Sequence, residues 1–369
     1  MRRIAIITYS RAYNFGSALQ SYALNNYLTL LGNDVRTIDY TTQSQQQLYT
    51  IFESYKDLMS IIRNIHSLWH YFHLKLHKKK FDDFLLKNVQ MTLPVYTSED
   101  FMLLNSQFDY FISGSDQIWN AQCDDFDSNY MLSFVSDKQK CIAYAPSLGA
   151  GANYPQTMKL LREYVKCYKA LSSRENASIK IIQDATSRCV ESVLDPVFLL
   201  DSGQWKAIAG DSPIKGEYIL GYFIGDVAGM REFAAQMSRE SSCPVVVIWK
   251  SIRDVKYRFK TYYQAGPEDF ISLINGSKYV VTNSFHAVSF SLIFAKSFWA
   301  FIPPKSHDDR LKSILDLVNL TDRIVDLDKA SQINKLSLID YDSIDKDKLN
   351  MMIKSSKQYL KNNINYGTM

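Results

Sequence analysis

With 369 residues the chain exceeds one ordinary domain, and about 150 residues per domain gives a prior of two. It is 46% hydrophobic and 22% charged, which excludes disorder, collagen-like repeats and a disulfide scaffold. A net charge of +4 is too small to argue for nucleic acid as a partner. The chain begins Met1-Arg2-Arg3 and enters Ile4-Ala5-Ile6-Ile7 directly, a buried strand rather than the apolar core of a signal peptide. No apolar run reaches the roughly eighteen residues of a membrane span. Cys123, Cys141, Cys167, Cys189 and Cys243 are scattered and contain no Cys-x-x-Cys, so they read as reduced core thiols. The expectation is a soluble, cytoplasmic protein. Tyr (24) and Phe (20) are abundant, and core packing is the reading favoured over stacking on sugar rings.

Short apolar runs alternate with helical patterns along most of the chain. Ile4–Thr8 reads as a strand, and Ser17–Leu31 as a helix with Gly32 as a left-handed stop. Val35–Tyr40, Phe108–Ile112, Lys140–Tyr144, Ala170–Ser173 and Val193–Leu194 follow as strands. The pattern lapses between Ser202 and Glu217, which marks a domain boundary. Tyr218–Phe223, Val245–Trp249, Lys278–Thr282 and Phe298–Ile302 form a second set, and a final helix covers about Ile344–Asn363. Strands separated by helices predict parallel sheets. The expectation is an α/β protein of two doubly wound, Rossmann-like domains facing a cleft. The N-terminal domain would span 1–205, the C-terminal one 215–335, and a helical tail 336–369.

A helical insert at about 44–90 interrupts the first domain. Within Ser44–Lys87, His66, His70, His73 and His77 are spaced by 4, 3 and 4 residues, on one helical face. Metal ligation would use that spacing, yet no Cys or carboxylate joins the face. Trp69, Tyr71, Phe72, Lys75 and Lys78–Lys80 surround it instead. A packed helix is the plainer reading, with peripheral contact to a membrane as the other. No metal site is expected.

In open parallel sheets ligands bind beyond the carboxyl ends of the strands. The first strand leads into Asn14-Phe15-Gly16-Ser17, where Gly16 lets a ligand approach and Asn14 or Ser17 can cap the helix. There is neither a Gly-x-Gly-x-x-Gly nor a P-loop. Phe108–Ile112 delivers Ser113-Gly114-Ser115-Asp116-Gln117-Ile118-Trp119-Asn120, whose hydroxyls, carboxylate, amides and indole suit a polar, stackable ligand such as a sugar. Lys140–Tyr144 ends in Ala145-Pro146-Ser147-Leu148-Gly149. Arg174 follows another strand, where its planar fork either meets a carboxylate or phosphate or pairs at the surface. His286 lies in the first turn of a helix after Lys278–Thr282 and is the best candidate acid in the chain.

Taken in order, Asn14–Ser17, Ser113–Asn120, Tyr144–Gly149, Ser173-Arg174-Glu175, Leu194-Asp195-Pro196 and Thr282–His286 resemble the polysaccharide pyruvyl transferase family over roughly Arg3 to Asp322. The resemblance implies a GT-B-like fold and transfer of pyruvate from phosphoenolpyruvate, as co-substrate, to two hydroxyls of a sugar. The acceptor would be a polysaccharide or its lipid- or nucleotide-linked precursor, made for the cell surface or as exopolysaccharide. Arg174 matches the family's donor-binding Arg and His286 its general acid, with no cofactor. Asp116 is assigned as base or hydroxyl orienter, and Ser115, Gln117, Trp119, Asn120 and Ser147 as further substrate contacts. Many members carry Gly-Asp-Glu-Ala in the first turn, where this chain has Gly16-Ser17-Ala18-Leu19. Many carry Arg two residues before the His, where this chain has Ser284, leaving Arg310 or Lys305 to supply that charge. A GT-B glycosyltransferase with a nucleotide-sugar donor and a non-catalytic saccharide-binding relative are the rival readings.

Overall fold

The computed structural model describes residues 1–52, 58–149, 154–225, 227–248, 252–302, 310–330 and 332–364. The chain divides into two compact units: Met1–Leu68, Phe81–Leu200 and Asn350–Met369 form the first, and Trp69–Lys80 with Asp201–Leu349 the second. The division falls at Leu200/Asp201, just ahead of the Gly-, Ser- and Pro-rich stretch. The C-terminal segment is no separate tail, because most of its helix belongs to unit 1.

Unit 1 begins with β1 (Arg3–Ile7), α1 (Phe15–Leu30) and β2 (Asp34–Asp39). The insert contains α2 (Gln43–Leu48), α3 (Leu58–Trp69) and α4 (Tyr71–Asn88). Then come β3 (Met91–Pro94), α5 (Ser98–Gln107), β4 (Tyr110–Ser113), β5 (Cys141–Ala143) and α6 (Tyr154–Leu160). The five strands make one parallel sheet in the order β3-β2-β1-β4-β5. An isolated bridge from Ile142 to Ala170 leads towards a small parallel pair, β6 (Ser172–Ser173) and β7 (Glu191–Ser192), joined through α7 (Asn176–Thr186).

Unit 2 repeats the plan. After α8 (Ser202–Ala209) it runs β8 (Ile219–Tyr222), α9 (Met230–Ser241), β9 (Val245–Ile248), β10 (Lys260–Tyr262) and α10 (Pro267–Gly276). Next are β11 (Tyr279–Thr282), α11 (Phe285–Ile293), β12 (Ser297–Ala300) and α12 (Arg310–Leu317), after which α13 (Lys346–Asn363) returns the chain to unit 1. The parallel order is β10-β9-β8-β11-β12, the same reversal about the first strand as in unit 1.

Burial explains why the strands read as continuous apolar runs. Every residue of β4, β9, β11 and β12 is buried, as a sheet covered on both faces requires. α1 is buried almost all round, and its polar Gln20 and Asn25 bond internally. Gly32 ends this stretch at φ +83°, the left-handed conformation expected of it. α13 is sewn into unit 1 by Tyr359 Oη, which donates to Ala143 O at 2.8 Å, and by Ser356 Oγ, which accepts from Leu194 N at 2.9 Å.

Three expectations need correction. The strands β3 and β10 were not foreseen. The cysteines are all free, but only Cys141 and Cys243 are buried, while Cys167 and Cys189 are exposed and Cys123 is intermediate. Cys123 is partly desolvated beside Asp125 and Asp116, which pushes its thiol up to about 11 and argues against a nucleophile. The third concerns the His-rich segment, which is two helices, α3 and α4, with His70 between them, rather than one. His70 and His73 stack on Tyr263, with centroids 5.1 and 5.2 Å away, and His77 Nδ1 donates to Ala265 O at 2.6 Å. Burial lowers the His77 pKa, so the neutral ring is favoured there. The regular spacing thus serves packing on residues of unit 2. The side chain of His66 lies outside the described residues. Among the described residues no group of three or more His, Cys, Asp or Glu is arranged to hold a metal ion. No helix among them is long and apolar enough to cross a membrane.

Candidate functional site

The polar segments of unit 1 converge beyond the carboxyl ends of β1, β4, β5, β6 and β7. At the start of α1 Asn14 is the cap, its Oδ1 accepting from Ser17 N at 3.3 Å. Gly16 is buried in the first turn of α1. Ser17 Oγ then donates to Asp116 Oδ2 at 2.5 Å. Asp116 Oδ1 accepts from Gln117 N at 2.9 Å and from Arg174 Nη2 at 3.4 Å. Asp116 has φ +77°, a left-handed conformation that is uncommon outside glycine and is held here by tertiary contacts. One is the bond from Ser147 N to Asp116 O at 2.9 Å.

Gly114 makes this approach feasible. A Cβ there would lie 2.0 Å from Tyr144 O, and φ is +132°, so only glycine allows the β4 and β5 loops to lie side by side. Ser115 Oγ donates to Ala145 O at 2.8 Å and accepts from Arg174 Nη1 at 3.2 Å. Ser147 Oγ accepts from Gly149 N at 3.1 Å. Asn120 Nδ2 donates to Gln117 Oε1 at 3.4 Å, while Asn120 Oδ1 accepts from Gln122 N.

Arg174 occupies the centre of this network, its side chain 2% exposed. Besides Asp116 and Ser115 it donates through Nη1 to Asp195 Oδ2, and its Nε lies 3.6 Å from Glu175 Oε1. Asp195 is itself fixed by Val197 N, which donates to Oδ1 at 3.1 Å. One guanidinium therefore faces three carboxylates. In this arrangement Arg174 is the counter-ion of Asp116, Asp195 and Glu175, and an anionic donor would have to share the guanidinium with them.

Trp119 is corrected. It is fully buried, and its Nε1 donates to Ser113 Oγ at 2.8 Å, so its face serves the core rather than a sugar. Two neighbours escaped the sequence reading. Tyr9 Oη donates to Asp125 Oδ1 at 3.4 Å, and burial, with Asp116 and Asp124 adding, raises the Asp125 pKa. Burial, with Asp125 and Asp116 adding, raises the Tyr9 pKa as well. Tyr9 lies two residues after β1 and Asp125 five residues after Asn120; being near each motif was the available signal.

Unit 2 carries the other candidates. Thr282 Oγ1 donates to Tyr222 O at 2.7 Å and accepts from Ser284 N at 3.0 Å, which pins the turn after β11. Asn283 clasps the neighbouring loop, accepting from Ile224 N at 2.8 Å and donating to Ile224 O at 2.7 Å. Ser284 caps α11 by accepting from Ala287 N at 3.3 Å. A short hydroxyl is what such a cap needs. His286 follows in the first turn, 8% exposed, its ring edge-on to Phe285. Arg310 is half-buried and begins α12, which packs against α11. Lys305 lies outside the described residues.

The model of the polysaccharide pyruvyl transferase family matches residues 14–304. The chain belongs to this family. No protein of curated function matches it by sequence. Among solved structures, a UDP-GlcNAc 2-epimerase from Methanocaldococcus jannaschii aligns at TM-score 0.53 and 11% identity, covering 100% of both chains. An O-GlcNAc transferase variant from Thermobaculum terrenum aligns at TM-score 0.45 and 10% identity, over 98% of this chain but 64% of that one. A glycosyltransferase from Streptomyces nogalater aligns at TM-score 0.42 and 10% identity, over 98% and 95%. At such identities the epimerase likeness speaks of fold alone. The fold class of this family member is α/β and GT-B-like, with two parallel Rossmann-like sheets and a C-terminal helix.

Proposed function

We propose that this transferase moves pyruvate from phosphoenolpyruvate to two hydroxyls of a saccharide, forming a ketal and releasing phosphate. Family membership over residues 14–304 carries the reaction class. The observation that carries the chemistry is Asp116, a carboxylate held from three sides by Ser17, Gln117 and Arg174. Asp116 accepts the proton of the first attacking hydroxyl. His286 donates a proton to the methylene carbon of the enol phosphate, which generates oxocarbenium character at the adjacent carbon. Attack there forms the first C–O bond. Loss of phosphate and attack by the second hydroxyl close the ring, the second proton leaving on phosphate. Closure is fast because both hydroxyls belong to one bound sugar.

Arg310 and the first-turn amides of α11 are the groups assigned to the donor's carboxylate and phosphate. Asn14, Gln117 and Asn120 line the hydroxyl side. No metal or cofactor enters the scheme. The acceptor is a polysaccharide precursor, and a carrier lipid is one way to present it.

Thermal denaturation with candidate donors tests this reading. A ligand that binds only the folded protein stabilises it by about 2.7 kcal/mol at a hundred times its dissociation constant. Phosphoenolpyruvate is expected to raise Tm, and UDP- and ADP-linked sugars to leave it unchanged. The reverse pattern would make the chain a glycosyltransferase in function.

A further inference from the structure

We propose, on the reading that the acceptor is a saccharide, that a cavity beside α1 and remote from Asp116 binds an uncharged stretch of it. The cavity has a volume of about 660 Å³ and lies wholly within unit 1. It is walled by the second half of α1, the end of α4 and the start of β3. Its size is within the roughly 300–1,000 Å³ of ligand pockets. Ser17, the α1 residue that donates to Asp116, precedes the lining residues Asn25 and Thr29 by eight and twelve positions. At 1.5 Å per residue that is roughly 12–18 Å along the helix axis. One sugar ring cannot reach both places, whereas an oligosaccharide can.

Charge and hydrogen bonding select the ligand. Arg11 closes its fork on Asp39 at 2.7 and 2.6 Å, and Arg36 Nε lies 3.7 Å from Asp34 Oδ1. Lys87 has a partner of its own. With both arginines facing carboxylates and Lys87 engaged, the described lining offers no unmatched charge to a phosphate or uronate. What remains is amide. Asn25 is 3% exposed and is held by its Nδ2, which donates to Thr37 Oγ1 at 3.2 Å and Gln90 O at 3.3 Å, so Oδ1 is the atom left to accept. Asn88 Nδ2 donates to Phe84 O at 3.0 Å and leaves its Oδ1 likewise. The side chains of Asn26 and Gln90 have no hydrogen bond among the described residues. Fixed acceptors beside uncommitted amides suit hydroxyl groups, each of which both donates and accepts. A nucleotide base would find no aromatic ring to stack on in the described lining.

Calorimetry of the full-length protein with galacto-oligosaccharides of one to six units tests the proposal without relying on transfer. Affinity is expected to rise with chain length, and oligogalacturonates of the same lengths to bind about tenfold more weakly. Asn26→Ala with Gln90→Ala should lower affinity for the longer chains about tenfold, as one or two lost hydrogen bonds do, and leave that for galactose unchanged. Gln90→Trp, a bulky ring at an exposed position, should obstruct the cavity and abolish the gain with length. Circular dichroism and melting should match the parent throughout, since neither side chain is bonded within the fold. Failure of every oligomer to bind, affinity independent of length, equal binding of uronates, or variants that bind like the parent would overturn the proposal. Length-dependent binding that the variants weaken, without any pyruvyl transfer, would sustain the site and refute the proposed reaction. Transfer to galactose and to the hexasaccharide with equal KM would do the opposite.

Discussion

Asp116→Asn is expected to lower turnover by about 10²–10⁴-fold, the usual contribution of a positioned acid or base. The amide preserves volume, and its oxygen can still accept from Gln117 N and Arg174 while its nitrogen donates to Ser17 Oγ. It cannot take a proton. The fold should therefore survive, with kcat reduced and donor affinity little changed. His286→Asn should behave alike from the donor side, since Asn is compatible with the first turn of α11. Steady-state kinetics beside a melting curve check both. If Asp116 only braces the turn after β4, the opposite pattern appears: Tm falls and kcat holds.

Arg174→Met should instead act on stability. Removing one partner of a buried charge group costs about 3–5 kcal/mol, because the remaining charges stay buried without compensation. Here three carboxylates would remain around an apolar side chain. For domains of this size the loss corresponds to a fall of roughly 6–20 °C in Tm. Adding Asp195→Asn removes one of those charges and should recover part of the loss, the coupling expected of direct contact. A parental Tm combined with a raised KM for phosphoenolpyruvate would return Arg174 to the donor clamp that the family resemblance implies.

The difference between these two accounts of Arg174 shows where sequence reading stops. The strands were legible because parallel strands covered on both faces are continuous apolar runs, such as Val245–Ile248. The edge strands were not: Met91–Pro94 is only partly buried and ends in proline, and Lys260–Tyr262 is exposed or half-buried. At the site, the motifs at the ends of β1, β4 and β5 were visible as polar loops after apolar runs. Their partners were not, because Asp116 and Asp195 reach Arg174 only through sheet order, from 58 residues before it and 21 after. Trp119 misled for a similar reason. An indole in a polar loop looks available until Ser113, six residues earlier, takes its N–H. Ser284 is the converse case: a missing arginine in the motif is a working helix cap in the structure.

The most direct measurement is the fate of phosphoenolpyruvate in the presence of saccharide acceptors. The protein is incubated with labelled phosphoenolpyruvate and a panel of free and lipid-linked galactosides, and phosphate and products are followed together. The account predicts acceptor-dependent phosphate release, with a product heavier than the acceptor by one pyruvic acid less one water, the composition of a ketal. Glycosyl transfer from a nucleotide sugar to the same panel, with no release of phosphate from phosphoenolpyruvate, would contradict it.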